Sequence, residues 1–300
     1  MYNLCIIGSS DIVSKHLTAA SNNGFKLYAI TSLKHNSRNA RNLKRKFKIK
    51  KFFPGWKDCI KECSKIKNIS FLVAPRIEDT IKVLNYISDL NKPIIVEKPI
   101  SNDPKKLKKI KNKKFFVGYN RIFYKSVNYI KKKYLDKKSS CVLNILCPEK
   151  NKKSFITNSC HIISILIYLF GDLNVKIIKK SKRIILCVLK NKNVNINLSV
   201  VFNAPTNFKI DFFIGNTHLK LSPIEELTEY KGLKKIRKKN LNLYKPVLSK
   251  SINDYDINLK PGFNSQYKLF KKFCQRKTKK IPNSYDFAEK VLKTCEKIAK

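Results

Sequence analysis

The sequence predicts an α/β fold, in which an N-terminal doubly wound parallel sheet is followed by an α+β domain with a mainly antiparallel open sheet. Two observations lead to this prediction. Short β-like runs alternate with amphipathic helical segments over residues 1–120, as is typical of βαβ units with right-handed crossovers. Farther along, strand-like runs follow one another between turn residues, as in an antiparallel meander. We therefore assign residues 1–120 to a first domain and residues 121–300 to a second.

The individual elements follow from apolar periodicity and from turn residues. In the first domain we expect strands at residues 3–7, 26–31, 70–74, 93–97 and 115–119, and helices at 12–22, 39–47, 56–66, 78–90 and 104–111. In the second we expect helices at 123–134, 160–170, 263–274 and 284–298, and strands at 142–147, 175–179, 183–189, 194–202, 208–214 and 218–221. The lysine-rich stretch 231–260 lacks a clear period, so we expect a long loop there.

The formal charge of +45 at first suggests a protein that binds polyanions. However, the basic residues are overwhelmingly lysine, with only eight arginines, and they are scattered along the whole chain. Scattered lysine is typical of a solvated surface. We therefore expect no specific nucleic-acid partner, although weak and salt-sensitive binding to polyanions would follow from the charge alone.

The cysteines and the apolar runs indicate a reduced, cytoplasmic protein. Nine cysteines occur without paired metal-ligand spacing; Cys59 and Cys63 are one helical turn apart with no second pair nearby, so we expect no metal site. The N-terminus has no signal-peptide pattern. The most apolar stretch, residues 160–171, is shorter than the roughly 20 residues that a membrane span needs.

A glycine follows the first predicted strand, where a dinucleotide-binding fold places its phosphate loop. The loop reads Gly8-Ser9-Ser10-Asp11-Ile12-Val13, so only Gly8 remains of the pattern G-x-G-x-x-G, while Ser10 and Val13 replace the later glycines. Ser9 and Ser10 could still hydrogen-bond a phosphate at the helix N-terminus. Taken alone, this loop fits an ordinary strand–helix turn better than a nucleotide site.

The end of the second predicted strand bears on the choice of cofactor. No Asp or Glu occurs between Asp11 and Asp58, so the usual acceptor for the ribose 2′-hydroxyl of NAD is missing. Ser32, Lys34 and Arg38 instead suit a 2′-phosphate, which favours NADP over NAD.

Several segments together resemble the Gfo/Idh/MocA (glucose-fructose oxidoreductase / inositol dehydrogenase) family. They are the glycine loop with the trailing His16, Val73-Ala74-Pro75, residues 94–99 with Glu97-Lys98-Pro99, residues 117–121 with Phe123, residues 158–171, and Pro261-Gly262-Phe263 with Gln266 and Phe270. The resemblance spans almost the whole chain. It implies a Rossmann domain that binds NADP or NAD, followed by a substrate domain whose open sheet packs in homo-oligomers.

The resemblance also implies site residues. Lys98 would position the reacting hydroxyl, and His161 would act as general base; we place His161 near a helix N-terminus, capped by Asn158 and Ser159, where the helix dipole favours a neutral imidazole. The cofactor-binding residues would be Gly8, Ser9, Ser10, Asp11, Ile12, Ser32, Lys34, Arg38, Ala74, Pro75, Glu97, Lys98, Asn120 and Arg121.

These residues imply hydride transfer between a nicotinamide and the hydroxyl or carbonyl of a sugar or nucleotide sugar. The chain departs from the family where aspartates often flank the histidine, because Thr157 and Ser164 stand there. Together with the altered glycine loop, these departures leave a second reading open, that of a non-catalytic nucleotide- or sugar-binding protein.

Overall fold

The computed structural model describes residues 2–135, 141–256, 258–278 and 281–300. Its first part alternates strands and helices, as predicted. In chain order the elements are β1 (Tyr2–Ile7), α1 (Asp11–Asn22), β2 (Phe25–Thr31), α2 (Arg38–Lys46), β3 (Lys51–Phe52), α3 (Trp56–Ser64), β4 (Ile69–Val73), α4 (Ile77–Ile87), β5 (Ile94–Val96), α5 (Pro104–Leu107) and β6 (Phe116–Val117). The two-residue strand β3 had no counterpart in the sequence prediction.

The second part begins with a helix and then consists mostly of strands. Its elements are α6 (Lys125–Ile130), β7 (Cys141–Glu149), α7 (Lys152–Ser154), α8 (Cys160–Phe170), β8 (Asn174–Lys180), β9 (Ile184–Asn191), β10 (Val194–Phe202), β11 (Lys209–Ile214), β12 (Thr217–Leu221), β13 (Glu226–Lys238), β14 (Leu241–Asn253), α9 (Phe263–Cys274) and α10 (Tyr285–Ala299).

The first sheet is parallel and has the strand order β3-β2-β1-β4-β5-β6. This is the order of a Rossmann fold, in which the direction of winding reverses between β1 and β4. The strands are apolar and buried, as expected of a sheet that is covered on both faces. The predicted doubly wound sheet is therefore confirmed, and its switch point lies beside Gly8.

The chain divides into two compact units, and the division differs from the two predicted domains. One unit contains Met1–Phe123 and Asp256–Lys293; the other contains Tyr124–Tyr255 and Thr294–Lys300. The segment with α9, assigned from the sequence to the second domain, thus packs in the first unit. Phe263, Tyr267 and Phe270 place one face of α9 in the apolar core that contains Leu4 and Leu72. Periodicity predicts this apolar face, but it does not indicate which sheet the face covers.

The second sheet has eight strands in the order β14-β13-β12-β11-β7-β10-β9-β8. All neighbours pair antiparallel except β7 and β10, which run parallel. The mainly antiparallel sheet predicted for the second domain is confirmed.

The loop predicted for residues 231–260 is wrong. Most of this stretch forms the long hairpin of β13 and β14, paired from Glu226–Asn253 to Lys238–Leu241. Beyond Tyr230 nearly all of its residues are exposed on both strands. A strand with no buried face needs no alternation of apolar and polar residues, so the signal used for the other strands is missing here.

Within the described residues, one helix is long and apolar enough to cross a membrane by length and composition alone, Lys152–Phe170. It is 19 residues long because α7 and a π-helical turn at Phe155–Ser159 continue into α8. Of its most apolar window, 61% is buried inside the protein. Such burial is typical of a helix in a protein core.

Candidate functional site

Gly8 occupies the tight turn between β1 and α1. Its φ is +134°, and a Cβ atom added there would lie 2.1 Å from the carbonyl oxygen of Ala74. The backbone of the two turns is tied together, since the Ala74 amide donates a hydrogen bond to the carbonyl of Ile7 (2.8 Å). Gly8 is thus required by the close approach of the turns that follow β1 and β4.

Replacing Gly8 by alanine is expected to lower the free energy of unfolding by at least about 2 kcal/mol, because a strained backbone and a backbone collision add together. Urea unfolding measures the change. Gly215→Ala is the matched control, since Gly215 also has a positive φ (+55°) but has no atom within 4 Å of its added Cβ. Equal losses in the two variants would contradict the collision.

Three serines meet beside this turn. The Ser9 hydroxyl lies 3.3 Å from the hydroxyls of both Ser32 and Ser37. Ser37 also caps α2, where its hydroxyl accepts a hydrogen bond from the Ala40 amide (3.4 Å). Ser10 is the N-cap residue of α1, and its side chain makes no capping hydrogen bond. Hydroxyl groups and the first amides of α1 therefore lie where a Rossmann fold binds phosphate.

A cavity of about 570 Å³ opens at this edge of the sheet. Of the predicted cofactor residues, it is lined by Gly8, Ser9, Ser10, Ser32, Lys34 and Pro75. Its remaining lining residues are Leu33, Ser37, Asn39, Trp56, Arg76, Asp79 and Lys82, so Arg38 is not part of the wall although its neighbours on both sides are. The other predicted cofactor residues are also outside this lining: Asp11, Ile12, Ala74, Glu97, Lys98, Asn120 and Arg121.

Two lining residues give the cavity a character that the sequence analysis missed. Trp56, the one tryptophan of the chain, begins α3 and packs edge-to-face on Tyr86 with 5.0 Å between ring centroids. Arg76 directly precedes α4. Both follow from topology, since residues between a parallel strand and its helix collect at one edge of the sheet. The wall is cationic, because Lys34, Arg76 and Lys82 outnumber its one carboxylate, Asp79.

Glu97, directly before Lys98, lies in a partly buried network of polar contacts. Its carboxylate accepts a hydrogen bond from the Lys98 amide (3.0 Å) and lies 3.5 Å from His16 Nε2. On the other side of the imidazole, His16 Nδ1 lies 3.0 Å from the Tyr267 hydroxyl. Burial opposes ionisation of Glu97, but His16 and Lys98 more than offset it and hold its pKa below the usual value. The network fixes the backbone that presents Lys98, and it gives His16 a structural role.

Asn120 and Arg121 follow β6 at the same edge of the sheet. The Asn120 amide donates a hydrogen bond to the carbonyl of Pro261 (2.8 Å), which anchors the segment that begins α9. Lys260 belongs to this segment; partial burial, together with Lys98 and Arg121, lowers its pKa, while Glu97 acts in the opposite direction. Lys98, Arg121 and Lys260 thus form a cationic group around one carboxylate in the first unit.

His161 lies in the second unit, in the middle of a continuous helix rather than near a helix N-terminus. The residues before it form α7 and the π-helical turn, and Ser159 has helical dihedral angles (φ −66°, ψ −10°) without a capping hydrogen bond. The predicted caps are therefore wrong, and so is the dipole argument for a neutral ring. The residue is buried, with 5% exposure. A π-helical turn next to it is a feature often found at functional sites.

A carboxylate that the sequence analysis missed lies beside this turn. Glu149, at the end of β7, is 6% exposed and accepts a hydrogen bond from the Ser159 hydroxyl. The amide of Asn158 donates to its other oxygen (3.5 Å). Thr157, in place of the family's aspartate, instead donates its hydroxyl to the carbonyls of Lys153 and Ser154. Glu149 is therefore a second buried ionisable side chain in the unit that contains His161.

No protein-family model and no curated protein matches this chain. Solved structures do match. The dehydrogenase MviM from Clostridium difficile superposes with a TM-score of 0.77 at 16% identity, covering 99% of this chain and 98% of that one. The myo-inositol dehydrogenase from Lactobacillus casei, in complex with NAD(H) and myo-inositol, gives 0.71 at 17% identity, with 99% and 93% covered. Levoglucosan dehydrogenase, in complex with NADH and levoglucosan, gives 0.75 at 12% identity, with 99% and 95% covered.

At these low identities, the TM-scores of 0.71 to 0.77 establish the fold alone. The matches extend over both units, and they agree with the strand order 3-2-1-4-5-6 of the first sheet and the mainly antiparallel second sheet. The fold implied by the sequence resemblance is confirmed: the chain has the two-part α/β fold of these dehydrogenases.

Proposed function

We propose that this protein is an NAD(P)-dependent oxidoreductase that transfers hydride between a nicotinamide and the hydroxyl or carbonyl carbon of a sugar or nucleotide sugar. The observation that carries the proposal is the cavity beside Gly8, at the switch point of a sheet shared with sugar dehydrogenases in complex with NADH or NAD(H). Open α/β sheets bind their ligands at this point.

The residues of the cavity fit a dinucleotide. The Ser9 and Ser10 hydroxyls and the amides at the start of α1 suit the pyrophosphate, and Ser32, Lys34 and Arg76 suit a 2′-phosphate. The absence of a carboxylate after β2 supports NADP over NAD. Asp11, Ile12, Ala74, Glu97, Asn120 and Arg121 remain proposed cofactor contacts, and Arg38 is a weaker candidate than Arg76.

When bound, the nicotinamide ring donates or accepts the hydride. In our proposal Lys98 orients the reacting oxygen and stabilises negative charge on it, held in place by the Glu97 network. His161 exchanges the hydroxyl proton as general base or acid. The exposed Val142 and Phe213, paired across β7 and β11, support the further proposal that the second sheet packs in a homo-oligomer.

Titration with NADPH and NADH, followed by nicotinamide fluorescence in moderate salt, tests the cofactor part of this proposal. Salt damps the nonspecific attraction between phosphates and lysines. Assays with polyols and nucleotide sugars then test for turnover. Binding of a nicotinamide dinucleotide without turnover would favour the non-catalytic reading, and no binding of either cofactor would contradict the proposed activity.

We expect the Ser32→Asp variant to weaken NADPH binding by about tenfold or more relative to NADH, because the new carboxylate repels a 2′-phosphate and accepts hydrogen bonds from a ribose 2′-hydroxyl. The ratio of the two dissociation constants measures the change. Ser181→Asp is the matched control, since it adds the same charge at an exposed turn of the second unit. An unchanged ratio in Ser32→Asp would count against NADP preference.

A further inference from the structure

Three cysteine sulfurs meet beside the first sheet, and none of the three cysteines lines the cavity. Cys5 lies on β1, while Cys59 and Cys63 lie one turn apart on α3. Their Sγ atoms all lie within 4.8 Å of one another, with Cys5 and Cys59 separated by 3.5 Å, and all three residues are fully buried. The spacing of Cys59 and Cys63 puts them on one helix face, but the third sulfur comes from the packing of α3 on the sheet.

The separations suit a metal ion. An ion about 2.3 Å from each of three sulfurs, at the centre of their triangle, holds the sulfurs about 4 Å apart. The observed distances of 3.5 Å to at most 4.8 Å lie on either side of that value. Among the residues that the structure describes, no fourth His, Cys, Asp or Glu joins the cluster. Zinc in structural sites takes four ligands, whereas soft ions such as Cu(I) are selected by thiolates.

The burial of the cluster also suits a cation. All three cysteines are fully buried, and thiolates held away from water are costly unless a positive charge accompanies them.

We propose that Cys5, Cys59 and Cys63 bind one soft metal ion through three sulfur atoms. Each thiol that is still protonated loses its proton to solvent as its bond to the metal forms. The ion joins β1 to α3 on the side of the sheet opposite α9. The site is separate from the proposed catalytic residues, and it does not depend on the proposed activity.

The chain contains its own reporter for this site. Trp56, its one tryptophan, is in the same helix as two of the ligands and three residues before Cys59. The probe is Cu(I), delivered under anaerobic conditions from a chelator of known affinity. We expect uptake of one equivalent, an ultraviolet sulfur-to-copper absorption band, a change in Trp56 fluorescence and a higher melting temperature, because an ion that binds only the folded chain stabilises it.

Variants that each lack one ligand identify the site. Cys5→Ala, Cys59→Ala and Cys63→Ala are each expected to bind Cu(I) at least about 100-fold more weakly, since even the loss of an outer-shell partner costs 10–100-fold. Cys187→Ala, which removes a buried cysteine of the second unit, is the control and should bind like the parent. Circular dichroism verifies that each variant folds, and three independent variants guard against one that does not.

Two results would overturn the proposal: a parent protein that takes up no Cu(I) from the chelator, or folded ligand variants that bind it as tightly as Cys187→Ala. Titration of the same variants with NADPH keeps this test apart from the proposed function. Loss of Cu(I) with retained cofactor binding supports the metal site alone.

Discussion

Replacing Lys98 by methionine is expected to lower the turnover number by about 10³-fold. Methionine has a length similar to that of lysine but no charge, so the variant removes the cation that we propose to orient the reacting oxygen and to stabilise charge on it. Losing one preorganised donor of this kind typically costs 10²–10³-fold in kcat. The assay is steady-state turnover with the best sugar substrate, and cofactor affinity is measured in parallel.

Lys106→Met provides the matched control, because Lys106 is exposed on α5 in the same unit and the variant makes the same change in charge. Its turnover should equal that of the parent. A Lys98→Met enzyme as active as this control would remove Lys98 from the mechanism. A variant that loses cofactor affinity but keeps its kcat would instead make Lys98 a binding residue.

The first sheet could be predicted from the sequence because its strands are buried on both faces. Runs such as Ile69–Val73, in which every residue is buried, stand out from the polar residues around them. The hairpin of β13 and β14 has no such run of buried apolar residues. Beyond Tyr230 nearly all residues of both strands are exposed, so that backbone pairing with the neighbouring strand, rather than burial, defines each strand.

The candidate site was predicted where it depends on strand ends and missed where it depends on helix packing. Gly8, Ser10 and Pro75 follow strands directly, and the structure places all three around the cavity. Trp56 enters the wall from the start of α3, which follows β3, a two-residue strand that was not predicted. The packing of α3 on the sheet brings Cys5 to Cys59 and Cys63, so the spacing of the cysteines could not reveal the cluster.

The prediction that His161 acts as general base now depends on other observations than the helix N-terminus. Because the helix continues before His161, the residue is not at a helix N-terminus, and the helix dipole gives no reason for a neutral imidazole there. Two observations still support it. The family resemblance implies a general base at this position, and the preceding π-helical turn contains Asn158 and Ser159, which donate hydrogen bonds to Glu149. His161 is thus held on a buried helix, two residues after this turn.

His161→Asn is therefore expected to lower kcat by about 10²–10⁴-fold, the usual contribution of a general acid or base, because asparagine keeps hydrogen-bonding capacity but cannot exchange a proton in this pH range. The affinity for NADPH should stay unchanged, since His161 lies in the unit that does not contain the cavity.

The pH dependence of turnover separates a catalytic role from a structural one. Replacing a merely structural histidine would leave the pH profile intact, whereas loss of a general base removes the limb of the profile that the base produces. His218→Asn, in the same unit, is the control: His218 pairs with Asp211 at 2.9 Å and has no proposed role in the reaction. Normal turnover in His161→Asn, or a pH profile that keeps its shape, would leave a nucleotide-binding protein without this catalytic base.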